Sequence, residues 1–488
     1  MLTRLKVNGF KNLVDLDVRF GPFTCVAGAN GVGKSNLFDA IHFLSALSDR
    51  PLLDAAFAVR SEGGGVGDTR SLFHRHSQEH DEEMTFEVEM IVPDTGVDDL
   101  GQPAEASITF LRYAVTIGYR GADGQAAAGP LELRSESLEQ INKGDARDHL
   151  LFSPKPVWRS TAVRGARRGA AFISTEAGAI KLHQDKSSGR PYSRPAARMP
   201  RTVVSATNAA EGPTVVLARR EMQSWRLLQL EPSALRQPDE LTAPARLGAD
   251  GSHLPALLYE LARSSGASVY ARIANRLSEL IDDVRDVCVE RDDRRELLTL
   301  NVTGRDGTVY PARALSDGTL RFLALSALEE DVSAEGLLCL EEPENGIHPA
   351  RIPAMLRLLQ DIATDTEYAT GPDNPLRQVI VNTHAPAVVM QAPDDSLLVA
   401  DLRETIREGR RFQRVSFGCL PDTWRAKSAD PGAIVSRGQL LAYLNPVVRQ
   451  PSNSDSIGSE SNGAAPGHRR VVDRQDLQPL LPLFDSAR

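Results

Sequence analysis

Apolar and polar positions alternate through Leu2–Val7 and again through Leu13–Phe20, the period of strands with one covered face, and the Asn8-Gly9 pair between them is a turn signal. Phe23 to Ala27 is a short apolar run of the kind a buried strand makes. From Asn36 to Leu47 the period becomes helical, with Leu37, Ile41 and Leu44 on one face. Alternation returns at Thr85–Val92, where Phe86, Val88, Met90 and Val92 share a face, and at Ile108–Ile117 and Leu131–Leu138. Together these predict an antiparallel sheet with one covered side. Leu254–Leu280 predicts helices, and Leu297–Val302 with Thr308–Pro311 predicts a hairpin around Asp306-Gly307. From Leu315 onward helix and strand alternate: a helix at Leu320–Glu330, then apolar strands at Leu337–Leu340 and Val379–Val381. There is no internal repeat and no sustained heptad pattern.

The length of 488 residues allows two or three domains, or one large domain with insertions, and 41% hydrophobic content supports a packed core. A formal charge of −9 excludes a uniformly basic protein but not a local basic face. One segment departs from the rest: Lys155–Arg201 holds eleven Lys or Arg against two acids, Glu176 and Asp185. Punctuated by Gly and Pro, it reads as a basic loop region that either tracks a phosphate backbone or is a solvated insertion. Gly63-Gly64-Gly65 reads as a loop, and Gln450–Gly467 as a disordered linker ahead of a short apolar tail, Leu477–Phe484. The four cysteines are scattered and form neither a disulfide framework nor a metal pair; Cys25 and Cys339 lie in apolar runs and are expected in the core. Met1–Gly9 lacks a signal-peptide core and no apolar run approaches a bilayer-spanning length. The expectation is a cytoplasmic protein with no membrane partner.

Chemistry enters at Gly28-Ala29-Asn30-Gly31-Val32-Gly33-Lys34-Ser35, which fits Gly, four residues, Gly-Lys-Ser between an expected strand and helix. Its glycines let backbone N–H groups surround phosphate oxygens, and the helix N-terminus adds partial positive charge. Lys34 would reach the β- and γ-phosphates and Ser35 would hold Mg²⁺. The strand Leu337–Leu340 ends in Glu341-Glu342-Pro343, placing two carboxylates at the edge where α/β sheets bind ligands. One carboxylate can steady the Mg²⁺ water shell and the next can orient or deprotonate an attacking water. Past Val379–Val381 stands His384, in Asn382-Thr383-His384, able to hydrogen-bond a γ-phosphate. Leu315-Ser316-Asp317-Gly318-Thr319 opens a helix and forms another anion-binding terminus; alone it would be a capped turn. His74, His76, Glu79, His80 and Asp81 match no standard metal spacing and read as a solvated loop, and no GxSxG elbow supports a hydrolase triad.

The order of these motifs resembles the ABC-type ATPase heads of the RecF, structural-maintenance-of-chromosomes (SMC) and OLD-family proteins. Gly9-Phe10-Lys11-Asn12-Leu13, Gly28–Asn36 and Glu341–Pro349 carry the likeness, and Trp225–Pro232 resembles the stand-alone, armless members. The resemblance covers residues 1–60 and 220–400 well, 60–220 loosely and 400–488 hardly at all. It implies an α/β fold: a P-loop NTPase, ABC-ATPase-like head with a mixed central sheet, an antiparallel β lobe and a helical lobe. The corresponding division is 1–60 and 301–405 for the head, 61–225 for the β lobe with its basic insertion, 226–300 for the helical lobe, 406–449 for an extension and 450–488 for linker and tail.

By position, the resemblance makes Gly28–Ser35 the Walker A loop, with Asn30, Gly31, Gly33, Lys34, Ser35 and Asn36 on ATP. Ser316 and Gly318 become the signature motif touching the γ-phosphate held by a second subunit. Glu341 takes the Walker B position with Ser35 at Mg²⁺, Glu342 that of the catalytic base, Asn345 and His348 the D-loop, and His384 the switch histidine. A homodimer would then sandwich two ATP molecules, with DNA and a separately encoded nuclease or effector as further candidate partners. Two features depart from the pattern: Glu341 stands where Asp is usual, and the Q-loop glutamine has no motif, Gln78 merely lying in the expected region. SMC arms have no room here, and Asp394, Asp395 and Asp401 do not make the OLD nuclease set. The leading reading is an ATPase in DNA repair, chromosome maintenance or defence against foreign DNA. A transporter ATPase is disfavoured because its signature lies closer to the phosphate loop. A nucleotide-gated regulatory subunit of a partner nuclease or toxin, with little turnover, is the alternative.

Overall fold

The computed structural model describes residues 1–59, 69–76, 79–120, 130–167, 169–185, 191–281, 283–407 and 410–444. Gln78, Arg168, the glycine run at 63–65 and the linker and tail after 445 lie outside them. Along the chain come β1 (Leu2–Asn8), β2 (Leu16–Arg19), β3 (Phe23–Ala27) and α1 (Lys34–Leu47), then β4 (Glu83–Ile91), β5 (Phe110–Tyr119) and β6 (Leu131–Gln140). There follow β7 (Ile173–Glu176), β8 (Ala179–Leu182), β9 (Tyr192–Pro195), α2 (Pro213–Gln223), β10 (Arg226–Leu228), α3 (Leu254–Ser265) and α4 (Ser268–Ser278). The last stretch holds β11 (Val284–Asp292), β12 (Leu297–Gly304), β13 (Val309–Pro311), α5 (Asp317–Glu330), β14 (Gly336–Glu341), α6 (Ile352–Ile362), β15 (Arg377–Thr383), β16 (Leu397–Arg407) and β17 (Arg410–Cys419).

Two large sheets organise these elements. One is antiparallel, in the order β9-β8-β7-β6-β5-β4-β1-β2; the other is mixed, in the order β10-β14-β15-β3-β16-β17. The four strands β10, β14, β15 and β3 run parallel with β16, and only β17 is antiparallel. The central strands of the mixed sheet are buried along nearly their whole length because both its faces are covered. Leu337, Cys339, Ile380 and Val26 face α1 and the antiparallel sheet, while Leu338, Leu340, Val379, Val381 and Cys25 face α3–α6. The phosphate-loop strand therefore sits at the centre of a three-layer stack.

Several expectations change. The strand expected from Leu13 begins at Leu16, and Asn8-Gly9 is no tight turn: Val7 pairs with Leu16, leaving a long connection. That connection buries Lys11 against Asp39 of α1, an ion pair of 2.9 Å, so tertiary burial overrides the local turn signal. The basic segment expected to be loop contains a helix at Pro156–Ala162 and strands β7, β8 and β9. Its hidden signal is Ile173, Ile180 and Leu182, buried beneath the charges, with a two-residue turn at Ala177-Gly178 whose φ values are +49° and +75°. Some of its charges are spent locally: Arg164 on Asp94, Lys181 on Glu176, and Arg167 over the Phe172 ring. β11 was not expected from the pattern; its pairing with β12 carries it. His74 is buried rather than solvated, its Nδ1 2.6 Å from the Lys11 carbonyl. Among the described residues no helix is long and apolar enough to cross a membrane.

Candidate functional site

The C-terminal ends of β3, β14 and β15 bring the chemistry-bearing residues to one edge. β3 ends at Ala27 and the chain turns through Gly28–Gly33 into α1. Gly31 and Gly33 have φ of +79° and +99°, a region that glycine enters without a steric penalty. At Gly33 a second constraint acts: a Cβ would lie 2.2 Å from the Asn12 amide nitrogen. That amide is held there, accepting from Asn36 Nδ2 at 2.9 Å and donating to the Val32 carbonyl at 3.4 Å. The loop is thus braced from outside by Asn12, a role the sequence did not disclose although it lies inside a motif quoted for its resemblance.

Lys34 is buried and donates to the Gly28 and Ala29 carbonyls at 2.6 and 2.9 Å. Burial lowers its pKa below the ordinary lysine range, while Glu342, Glu344 and Glu341 oppose that shift. Asn30 and Gly31 are exposed at the loop tip. Ser35, at the first turn of α1, lines a cavity of about 310 Å³ together with Gln229, Glu341, Glu342, Asn345 and Arg321. A hydroxyl and a carboxylate at one cleft make the all-oxygen donor set that Mg²⁺ favours, and glycine amides at a helix N-terminus suit phosphate, so these residues fit both groups.

β14 delivers Glu341 and, just past its end, Glu342. Glu342 has φ +46°, and its N–H donates to the Asn382 carbonyl at 2.8 Å. Its carboxylate is gripped on both oxygens: Oε1 lies 2.6 Å from His384 Nδ1, and Oε2 accepts from Asn345 Nδ2 at 2.8 Å. A non-glycine residue held in the left-handed region by two side chains is a positioned carboxylate. Behind it, Thr383 donates to the buried Glu344, whose carboxyl is pushed above the usual range by burial. His348 is exposed and accepts from the Ala350 N–H at 3.3 Å, capping a short helix; it does not line the cleft.

Ser316 and Gly318 stand elsewhere. Ser316 caps α5, accepting from the Thr319 N–H at 3.2 Å, and is exposed outside the cavity. Gly318 is buried under the Gly346 carbonyl, 2.3 Å from where a Cβ would be. Within one chain the structure therefore gathers Ser35, Glu341, Glu342 and His384 but leaves Ser316 exposed outside the cavity.

Two residues missed in the sequence join the site. Gln229 follows β10, which pairs in parallel with β14, and its amide donates to Glu341. The signal was the short run Leu227-Leu228-Gln229, legible only once β10 is known to lie beside β14. Arg321, one turn into α5, donates to the Leu230 carbonyl at 3.0 Å and to the Asn345 carbonyl, tying the helix capped by Ser316 to both neighbours of the cleft.

A family model described as "AAA domain, putative AbiEii toxin, Type IV TA system" matches residues 23–154 and 163–390. Among curated proteins, the DNA replication and repair protein RecF of Porphyromonas gingivalis is 46% identical over 46 residues, and that of Parabacteroides distasonis 48% over 46. Those segments cover 9% of this chain and 13% of each relative, so the chain spans only a small part of the relatives it matches. Among solved structures, an Smc head bound to the C-winged helix domain of ScpA aligns over 86% of this chain and 98% of its own, at 14% identity and a TM-score of 0.46. The SMC head domain from Thermotoga maritima aligns over 85% and 98%, at 13% identity and a TM-score of 0.37.

Proposed function

We infer the function from the premise that this chain belongs to that AAA-domain family, with the fold of an ABC-ATPase-like head. We propose an ATP-binding and ATP-hydrolysing head that closes into a homodimer around two ATP molecules. The observation that carries this reading is the gathering of Ser35, Glu341, Glu342 and Gln229 at one cleft while Ser316 stands exposed outside it. An active site missing one wall in the protomer is completed by a second copy.

In this reading the amides of Asn30–Lys34 and the Lys34 ammonium bind the β- and γ-phosphates, and Asn36 holds the loop through Asn12. A Mg²⁺ held by Ser35 and Glu341 would neutralise the phosphate oxygens. Glu342 takes the proton of the attacking water, and His384 and Asn345 fix the direction in which its oxygens point. Gln229 couples Glu341 to β10. The N–H groups at the α5 terminus, with Ser316, close on the γ-phosphate from the second copy, so ATP joins the protomers and hydrolysis releases them. Action on DNA is supported by the RecF likeness. The printed family description, naming a toxin–antitoxin system, favours a second reading: a nucleotide-gated subunit controlling a partner toxin or nuclease with little turnover.

Phosphate release and size-exclusion chromatography test the first reading. Lys34→Ala should lose nucleotide binding. Glu342→Gln should keep it, release phosphate about 10²- to 10⁴-fold more slowly, and elute as an ATP-dependent dimer. A Glu342→Gln protein with normal turnover rejects the assignment. Wild-type turnover that stays negligible with DNA, and rises only with a partner, favours the second.

A further inference from the structure

A second cavity, of about 410 Å³, lies between β2 and the β16–β17 hairpin, whose β17 is the edge strand of the mixed sheet. Five arginines line it (Arg4, Arg19, Arg403, Arg414 and Arg425) against three acids, Asp15, Asp17 and Asp430, in a chain that is net negative. Asp17 is committed to Arg4 through hydrogen bonds of 2.8 and 2.6 Å.

Of the remaining guanidinium groups, Arg19 and Arg414 have only long ion pairs, of 3.9 Å each, to Glu89 and Asp15. Arg425 is 4% exposed, yet it donates only to uncharged partners: the Arg19 carbonyl at 3.1 Å, the Thr24 hydroxyl at 2.9 Å and the Asp395 carbonyl. Among the described residues it forms no ion pair, and burial pushes its pKa down to about 9. Arg403 pairs directly across the hairpin with Arg414, a like-charge arrangement that disfavours the sheet unless something negative sits between them. Arg414 donates to the Val14 carbonyl at 3.1 Å and reaches Asp15 only at 3.9 Å, while its buried Nε has no hydrogen-bond partner. Folding that places a buried cation and two facing cations around one cavity builds a receptor for an anion. The lining also holds apolar residues: Leu16, Val18, Leu398 and Phe417. The volume falls in the range of small-molecule sites and the lining mixes charged with apolar residues, so the anion is carried on an organic body.

We propose that this cavity is a second ligand site, separate from the phosphate loop, which takes a phosphomonoester on a nucleoside. The ligand is either a free mononucleotide or the terminal phosphate of a nucleic-acid strand. Guanidinium groups match phosphate oxygens in pairs, which explains arginine rather than lysine at every basic position of the lining. The site stands whether or not the phosphate loop hydrolyses ATP.

The test is equilibrium binding to the full chain, with the phosphate loop saturated by a non-hydrolysed ATP analogue and, separately, in Lys34→Ala protein. The probes are a nucleoside monophosphate, a 5′-phosphorylated oligonucleotide and the same strand with a 5′-hydroxyl. Arg403→Glu is the variant of choice because Arg403 is partly exposed, and circular dichroism verifies its fold. Binding of the monophosphate identifies the free nucleotide; binding of the 5′-phosphorylated strand alone identifies the strand end. In either case Arg403→Glu should weaken binding by about tenfold or more while ATP turnover stays at the wild-type level. The proposal falls if neither phosphorylated probe binds, if the 5′-hydroxyl strand binds equally well, or if Arg403→Glu binds like wild type.

Discussion

Gly318→Ala sets two effects of opposite sign against each other. Gly318 is the second residue of α5, a 14-residue helix, and helix propensity alone makes alanine about 1 kcal/mol better than glycine there. The tertiary structure opposes this. The new Cβ would stand 2.3 Å from the Gly346 carbonyl oxygen and 2.9 Å from its carbon, both backbone atoms that cannot rotate aside. Cβ atoms essentially never approach within 3.0 Å, so the α5 terminus and the loop after β14 must part by about 0.7 Å. Such overpacking costs about 1–3 kcal/mol, enough to cancel or exceed the propensity gain.

The larger effect falls on turnover. Asn345 precedes Gly346 and holds Glu342 Oε2 at 2.8 Å, while Arg321 of α5 holds the Asn345 carbonyl. A shift of this size at groups orienting the proposed base should slow phosphate release by about 10- to 100-fold. Nucleotide affinity of a single copy should change little, since the clash does not touch the loop at Gly28–Lys34 and the α5 terminus meets nucleotide only across the proposed dimer. The assay is steady-state phosphate release at saturating Mg-ATP, with affinity measured separately by displacement. Wild-type turnover together with a raised thermal midpoint would show that helix propensity wins and would refute the reasoning.

Three further expectations follow from particular contacts. Gln229→Ala removes the donor to Glu341 and should reduce turnover more than nucleotide affinity; equal losses in both would place Gln229 in ground-state binding instead. Asp39→Ala removes the 2.9 Å partner of the buried Lys11 ammonium and should lower stability in urea unfolding by more than about 1 kcal/mol, whereas Lys11→Met with Asp39→Leu should recover most of it; an equally unstable double variant would rule out loss of the charge pair as the cause. Glu136 is fully buried and its carboxyl is pushed up to about 7, chiefly by burial, against the Val203 and Val204 N–H bonds of 2.6 and 2.9 Å. A carboxyl whose folded pKa exceeds its unfolded value favours the folded state most at low pH. That contribution shrinks as pH rises from about 4.5 to about 7, by about 3 kcal/mol at most. Glu136→Gln should therefore narrow the gap between unfolding free energies at pH 5 and pH 8; an unchanged gap would mean that Glu136 is not the group responsible.

Much of the local structure around the candidate site was readable from short segments. A strand, a glycine-rich turn and an amphipathic helix within Phe23–Leu47 form through contacts a few residues apart, so their pattern reports their structure directly. The same holds for Glu341-Glu342 after an apolar strand and for Asn382-Thr383-His384 after another. Ser316 as a helix cap was equally local. The basic segment misled because its charges outnumber the three buried apolar residues that pair it into the antiparallel sheet.

The sequence by itself determined the glycine-rich turn into α1, the acidic end of β14 and the Ser316 cap of α5, because backbone conformation and capping depend on near neighbours along the chain. Tertiary structure alone decided which groups meet. It laid β10 beside β14, so that Gln229 reaches Glu341 across 112 positions, and it turned Asn12 toward Gly33. It also set Arg403 against Arg414 and buried Arg425 beside them. Those adjacencies arise from burying two faces of one sheet at once, a long-range packing solution that no local run of residues records.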